Sequence, residues 1–320
     1  MNYGLLIIPL AYILDLVFGD PQWPWHPVRL IGRLIERLEN KLNTGRINKI
    51  FCGAVLVILV VGLTVFGVGG ILKLARLIYP FLFYIVAVLF IYFSLSIKAL
   101  AAEAVKIYKN LESGDIQKAR NNLSLIVGRD TLGLNEQEII RATVETVAES
   151  TMDGIIAPLF YAFLGGPVMA WVYKAINTLD SMVGYRNERF KKFGYLSAKL
   201  DGWLNFIPSK ITCFLISVSI FCCRKRWLNS LKEAKRFLLS EPGENSAAVE
   251  AAMAGGLGVQ LGGTNFYDSV AVKKPLIGQA IEPLSIKHIR QSVNIAYISS
   301  ALMLVMGIMV MIVKTRGRFS

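Results

Sequence analysis

Histidine is almost missing from this 320-residue chain, which carries only His26 and His288, and cysteine is limited to four residues. Cys52, Cys213, Cys222 and Cys223 all lie in apolar runs, with no C-x-x-C and no paired Cys/His spacing. A zinc site or a dithiol redox centre is therefore excluded, and the thiols read as small buried hydrophobes. There is no G-x-x-x-x-G-K-[ST] loop. Gly255–Gly263 is glycine-rich but lacks the lysine, which excludes a P-loop nucleotide site. Charge is also scarce, at 18% of residues against 54% hydrophobic, and neither an internal repeat nor a low-complexity tract is present.

What is there instead is apolar length. Phe51–Leu72, Leu77–Ile97 and Gln291–Val313 each run for more than 20 residues without a formal charge, enough for a helix to cross a hydrocarbon core of roughly 30 Å. The fold class that follows is all-α, a polytopic helical integral membrane protein. The first 14 residues are apolar too, with no basic residue before them and no small-residue cleavage site before Asp15. They are expected to stay as an anchor over 5–18 rather than leave as a signal peptide. Lys and Arg exceed Asp and Glu by 35 to 22, and the excess lies in Arg29–Lys49 and Arg224–Arg236. Such loops suit anionic cytoplasmic lipid, whereas nucleic-acid binding fits this hydropathy poorly.

One membrane-embedded domain over 1–320 is expected, with spans at 5–18, 51–72, 77–97 and 291–313 and polar helical loops at 98–154, 174–210 and 224–290. Two segments leave the topology open. Ile155–Tyr173 holds Pro158, Gly165, Gly166 and Pro167, and Ile211–Cys223 has only 13 residues, so each either spans or is re-entrant against protein. The basic residues Arg186, Arg189, Lys191, Lys192 and Lys199 favour placing the polar loops on one cytoplasmic face.

The loop 98–154 reads as a helical hairpin. Ser113 or Asp115 can cap a helix that Gly128 ends, and Asn135 with Glu138 is a capping-box pattern opening a second helix. Gly128–Thr131 then falls in an exposed connection. On the second helix Arg141, Glu145, Glu149 and Asp153 recur every four residues and share one slowly drifting face. That stripe is either a solvated face with Arg141 paired to Glu145 or a cluster of acids offset by a cation or substrate. Its oxygen-rich, His-poor chemistry suits magnesium.

Farther along, "KAINTLDSMVGYRN" (174–187) places Lys174, Asn177, Asp180 and Ser181 within two helical turns behind an apolar run, where polar groups are costly unless paired or used. Asp201 and Asn205 lie one turn apart before Pro208-Ser209-Lys210. Near the amino terminus, "DLVFGDPQWPWHPVRLIG" (15–32) packs Asp15, Asp20, His26 and Arg29 into a proline-stiffened turn. Trp23 and Trp25 suit an interfacial belt. "EPGENSAAVEAAMAGGLG" (241–258) reads as a loop feeding a small-residue helix capped by Asn245 or Ser246, able to hold an anion or to pack tightly.

Several of these stretches, in order, resemble the adenosylcobinamide-phosphate synthases of cobalamin biosynthesis, the CobD/CbiB family: 15–32, "GRDT" at 128–131, "RATVETVAESTMDGIIAPLFYAFLGGP" at 141–167, "YKAINTLDSMVGYRNERFKKFG" at 173–194, "LDGWLNFIPSK" at 200–210 and "EAAMAGGLGVQLGG" at 250–263. The resemblance covers nearly the whole chain. It implies a multi-pass enzyme of the cytoplasmic membrane that joins a propionate carboxyl of adenosylcobyric acid to aminopropanol or its phosphate, with ATP consumed. ATP and magnesium are the implied cofactors and the corrinoid is substrate. Membrane lipid and other cobalamin-pathway enzymes are expected partners, and nucleic acid is not.

Carried onto this sequence, Glu145, Glu149, Asp153 and Asp180 become the catalytic group. Glu145, Glu149 and Asp153 are the magnesium ligands among them. Asp20, His26, Arg29, Arg129, Asp130, Lys174, Asn177, Ser181, Asp201, Asn205 and Lys210 become substrate and phosphate contacts. The chain departs from the family where Ser150 replaces Asn, Gly202 replaces a second Asp and Lys210 replaces Arg, so Asp201 loses an acidic neighbour and Lys210 keeps charge without a bidentate fork. Two rivals predict other patterns. A regulatory membrane protein of the AmpE type would make the acidic stripe dispensable, and a small transporter would place polar residues inside several spans. The three long spans hold almost none.

Overall fold

The computed structural model describes residues 4–21, 23–44, 48–185, 187–240, 245–267 and 269–316. Five helices, Lys49–Ile78, Pro80–Glu112, Glu136–Val183, Tyr195–Cys222 and Lys287–Thr315, are long and apolar enough to cross a membrane, and Leu5–Phe18 is a shorter apolar helix. The protein is thus a polytopic α-helical membrane protein. The segments 155–173 and 211–223 do not stand alone: the first lies within Glu136–Val183, and the second, all but Cys223, within Tyr195–Cys222, whose polar turns upstream supply the missing length. The single domain read from the sequence comprises two compact units.

The first unit contains residues 1–96, 157–205 and 304–320. Its helices are α1 (Gly4–Phe18), α2 (Pro27–Leu42), α3 (Lys49–Ile78), α4 (Pro80–Tyr92) and α8 (Ala157–Val183), with the start of α9 (Tyr195–Cys222) and the end of α12 (Lys287–Arg316). Asn48 caps α3, accepting from the Ile50 and Phe51 amides. Gly53 lets α3 touch backbone, because a Cβ there would lie 1.9 Å from the Phe193 carbonyl oxygen. The helix α2 buries Ile31, Ile35 and Glu39, and Glu39 accepts both oxygens' worth of bonding from Arg189 at 3.0–3.1 Å. Trp171 Nε1 donates to the Phe90 carbonyl at 2.7 Å, which ties α8 to α4. Within α8 the helix breaks at Gly165 and Gly166, the latter at φ +68° before Pro167, as glycine's freedom and proline's lost donor require.

The second unit contains residues 97–156 and 206–303. It is built from α5 (Ile97–Glu112), α6 (Ile116–Ser124), α7 (Glu136–Thr151), a π-helical turn Met152–Ile156, the remainder of α9, α10 (Trp227–Ser240), α11 (Asn245–Leu257), a hairpin of β1 (Leu261–Tyr267) and β2 (Val270–Ile277), and most of α12. Asp115 caps α6 through the Lys118 amide, and Asn135 with Glu138 forms the full capping box of α7. Residues Ala247–Leu257 of α11 are all buried, and a Cβ on Gly255 would come within 2.6 Å of the Asn229 carbonyl oxygen. The Ala/Gly run therefore serves tight packing, while residues 241–244 of the loop before it lie outside the described residues. Paired hydroxyls link the helices: Ser217 with Ser230 at 2.8 Å and Ser219 with Ser299 at 2.9 Å.

The hairpin is the exception to an otherwise helical fold. The strands are antiparallel, with Thr264 opposite Lys273 and a register shift between Leu261 and Gly263, where Gly262 and Gly263 take φ of +79° and +95°. The polar stretch 224–290, read from sequence as helical, conceals it because two glycines and Pro275 interrupt any alternation.

Candidate functional site

In the second unit the polar groups converge on the contact between α7 and the hairpin. Glu145 is buried. Its Oε1 accepts the Gly262 amide at 2.8 Å and its Oε2 pairs with the buried Arg129 guanidinium. Arg129 Nη1 donates to Asn265 Oδ1 at 2.7 Å, and Arg141 Nη2 donates to that same oxygen and to the Thr264 carbonyl, both at 3.1 Å. Asp130 Oδ2 accepts the Ser269 amide at 2.8 Å, and its own amide donates to the Phe266 carbonyl. The Gly128–Thr131 connection is consequently not a free loop. Its arginine is buried because the hairpin receives it, and the expected Arg141–Glu145 pair is replaced by a partner with a better geometry for each.

Two guanidinium groups fix Asn265 Oδ1, so its amide nitrogen points the other way. That nitrogen is buried and has no hydrogen-bond partner among the described residues, a condition costing about 1–3 kcal/mol unless a ligand fills it. Solvent reaches Glu149, one turn on. Glu250 on α11 is buried, and burial together with the charges of Glu145 and Glu149 pushes its carboxyl up to about 8, Lys274 and Arg129 opposing. Burial works against the Lys274 ammonium, yet Glu250, Tyr267, Glu149 and Glu145 outweigh it and its pKa is raised. Sequence reading missed Asn265 and Lys274 because they enter through the hairpin, and Glu250 because nothing local marks it as buried.

The raised carboxyl has a signed consequence. Below its unfolded value near 4.5, Glu250 is protonated in both states. As pH rises towards 8, the unfolded chain releases the proton while the folded chain holds it, so stability falls across that window. Glu250→Gln is expected to flatten the loss of melting temperature between pH 5 and 8. Equal slopes in the two proteins would show that Glu250 ionises normally.

In the first unit the polar groups form two sets. In one, Asp201 accepts from Asn177 Nδ2 at 3.3 Å and Asn205 Nδ2 at 3.0 Å, and Tyr173 donates to Asn205 Oδ1 at 3.0 Å. Tyr173 stacks on Tyr161 with ring centroids 5.1 Å apart. Asp201 thus keeps a role despite Gly202, with two amides in place of an acidic neighbour. Ser181 donates to the Asn177 carbonyl. A Cβ on Gly184 would sit 1.9 Å from Asp180 Oδ1, so glycine there makes room for the carboxylate.

The other set surrounds a cavity of about 190 Å³ lined by Asp20, Pro21, His26, Val28, Arg29, Phe93, Leu95, Ser96 and Lys174. The chain delivers these groups from the proline-stiffened turn, the first turn of α2, the end of α4 and the middle of α8. His26 is buried, with Nε2 2.8 Å from Asp20 Oδ1 but short of hydrogen-bond alignment. Phe93 closes edge-on over the imidazole at 5.5 Å. The lining therefore combines the cations Arg29 and Lys174, the Asp20–His26 pair and the apolar Val28, Phe93 and Leu95.

Not every predicted residue joins these groups. Lys210 lies in the second unit with Nζ 3.3 Å over the Phe206 ring centroid, a cation–π contact. Asp153 sits in the π-helical turn. Among the described residues, no three His, Cys, Asp or Glu side chains are grouped to hold a metal ion. With both Glu145 oxygens already engaged, Glu145, Glu149 and Asp153 do not fit a resident magnesium.

A family model described as CobD/Cbib protein matches residues 8–296. Cobalamin biosynthesis protein CobD of Clostridium perfringens is 44% identical over 312 residues, covering 96% of this chain and 98% of the relative. CobD of Listeria monocytogenes serovar 1/2a is 43% identical over 310 residues, 94% and 96% of the two chains. Cobalamin biosynthesis protein CbiB of Salmonella typhi is 41% identical over 303 residues, 93% and 95%. No solved structure matches the chain. Agreement at this level along almost the full length of each partner leaves one assignment: the chain belongs to the CobD/CbiB family of cobalamin biosynthesis proteins.

Proposed function

We propose that this protein is an ATP-dependent ligase of the cytoplasmic membrane, forming the amide between a carboxyl of adenosylcobyric acid and the amine of aminopropanol or its phosphate. The observation that carries this reading is the cavity beside Lys174. At about 190 Å³ it falls below the roughly 300–1,000 Å³ of pockets for drug-sized ligands. It suits the small amine and excludes the corrinoid. Its walls match the three parts of that molecule: Arg29 and Lys174 for an ester phosphate, Asp20 with His26 for the amine, and Phe93 with Leu95 for the methyl group.

In this reading the corrinoid carboxylate attacks the γ-phosphorus of ATP, giving an acyl phosphate and ADP. The amine then attacks the acyl carbon, phosphate leaves, and the amine proton passes to a carboxylate. Glu149, the stripe residue open to solvent, and Asp180 are the proposed catalytic carboxylates. Arg129, Arg141 and Glu145 hold the frame around Asn265, whose free amide donor is offered to a ligand oxygen. Magnesium enters as part of the nucleotide substrate. Asn177, Asp201 and Asn205 orient substrate through their side-chain ladder, and Ser181, bonded to the Asn177 carbonyl, stands beside them.

The test is amide formation by purified protein given adenosylcobyric acid, aminopropanol phosphate and magnesium-ATP, with products followed by mass. Product that requires ATP supports the ligase. Folded protein yielding none, with both free and phosphorylated amine supplied, overturns it.

A further inference from the structure

Positive charge gathers on the inward face of the hairpin. Along β1 the odd positions turn inward: Asn265 is buried and Gly263 and Tyr267 are half-buried, whereas Thr264 and Phe266 are exposed. Lys274 stands directly opposite Gly263 in the ladder. Its side chain therefore rises from the inward face, with its Cβ about 4.5–5.5 Å from where one on Gly263 would be. Arg141 reaches the same spot from α7, because a Cβ on Gly263 would lie 3.0 Å from Arg141 Nη1. The glycine thus leaves a space flanked by two cations.

Neither cation is matched. Arg141 spends Nη2 on the Thr264 carbonyl and Asn265 Oδ1, and among the described residues neither Arg141 nor Lys274 has a carboxylate at ion-pair distance. Glu145 is taken by Arg129. Glu250 and Glu149 act on Lys274 from farther off, and Glu250 keeps its proton up to about 8. At neutral pH, Glu149 is then the carboxylate left to offset both Arg141 and Lys274, and like charges across a ladder repel. One pair along the same face, Asn265 Nδ2 is a buried donor without an acceptor among the described residues. Solvent reaches Lys274 and Glu149, so the space has an open side.

We propose that the space over Gly263 binds the phosphate chain of the nucleotide, with Arg141 Nη1, Lys274 Nζ and Asn265 Nδ2 as its donors. This assignment rests on the ATP-dependent reading above. Donors from α7, β1 and β2 suit a tetrahedral phosphoryl group with three outer oxygens better than a planar carboxylate with two. The cavity of the first unit already supplies cations for the ester phosphate of the amine, so the phosphate that remains is the nucleotide's. Side chains on a helix and two strands then take the part that backbone amides play in a glycine-rich loop.

The experiment is calorimetric titration of the full chain in detergent with magnesium β,γ-imido-ATP, and separately with adenosylcobyric acid and aminopropanol phosphate. Lys274→Met is expected to weaken imido-ATP at least about tenfold, the scale of a lost charged hydrogen bond, and to leave the other two ligands within about twofold. Lys274→Arg should stay within about threefold of the wild type, and so should Lys273→Met, whose lysine lies opposite Thr264 on the outer face. Absence of imido-ATP binding by the wild type overturns the proposal, as does an unchanged affinity in Lys274→Met or an equal loss in Lys273→Met. A loss confined to adenosylcobyric acid or to aminopropanol phosphate would give the space to a carboxylate or to the amine and overturn it equally. Amide formation, followed in parallel, separates the two readings. Imido-ATP binding that depends on Lys274 without any amide product supports the site and sinks the ligase; amide product with binding indifferent to Lys274 does the reverse.

Discussion

Lys174→Met is expected to lower kcat/KM for aminopropanol phosphate by roughly 10- to 150-fold, the kinetic equivalent of losing a charged hydrogen bond of about 1.5–3 kcal/mol. For free aminopropanol the change should stay within about threefold, the scale of a ±0.5 kcal/mol effect. The asymmetry is the informative part. Lys174, Arg29 and the Asp20–His26 pair line the same cavity, and the proposed binding gives the cations the ester and the pair the amine, so removing a cation weakens the hold on the ester and spares the amine. Arg29→Gln should reproduce the pattern. Equal losses with both amines would instead place Lys174 in a structural role or on the nucleotide, and the size argument for the cavity would lose its specificity.

Arg129→Met and Glu145→Met are each expected to cost about 3–5 kcal/mol of stability, because each leaves its buried partner without a countercharge. The double variant should recover much of that loss, since an apolar pair of similar volume removes both desolvation penalties together. It should still fall short of the wild type by about 1–2 kcal/mol, as the Gly262 amide and Asn265 Oδ1 each lose a partner. Denaturation of purified protein, read together with protease sensitivity of the hairpin, measures all three. Additive losses in the double variant would show that the guanidinium and carboxylate do not depend on each other.

Much of this architecture was legible before any coordinates. The uncharged runs lie in helices long and apolar enough to cross a membrane, because nothing in lipid satisfies a backbone except the helix itself. Asn135 and Glu138 form their capping box because a four-residue motif carries all the partners it needs. The break in α8 was visible in Gly165-Gly166-Pro167 for the same reason. What sequence reading could not supply were partners far along the chain. Asn265 reaches Arg129 across 136 residues, and no local pattern announces that Glu145 will prefer Arg129 to the arginine one turn before it. The hairpin was hidden because the glycines that permit its bulge also erase its periodicity. In the first unit four residues of the cavity were named in advance, scattered over two motifs, while Phe93, Leu95 and Ser96 at the end of an apolar run were not. Only folding shows that Asp20, His26, Arg29 and Lys174 share one space.

The helix α11 carries a consequence for how families like this one are read. Every residue from Ala247 to Leu257 is buried, so no face of it is free to drift. An ordinary amphipathic helix records its surroundings as a rhythm, tolerant positions alternating with intolerant ones every 3.6 residues. Here a saturation scan would return an unbroken block of intolerance, because any side chain larger than the resident alanine or glycine meets a neighbour whichever way it points. Such a block looks like the signature of an active-site loop. Over most of its length, what selection guards there is volume, and charge enters only at Glu250, whose carboxyl feels the charges of Glu145, Glu149 and Lys274.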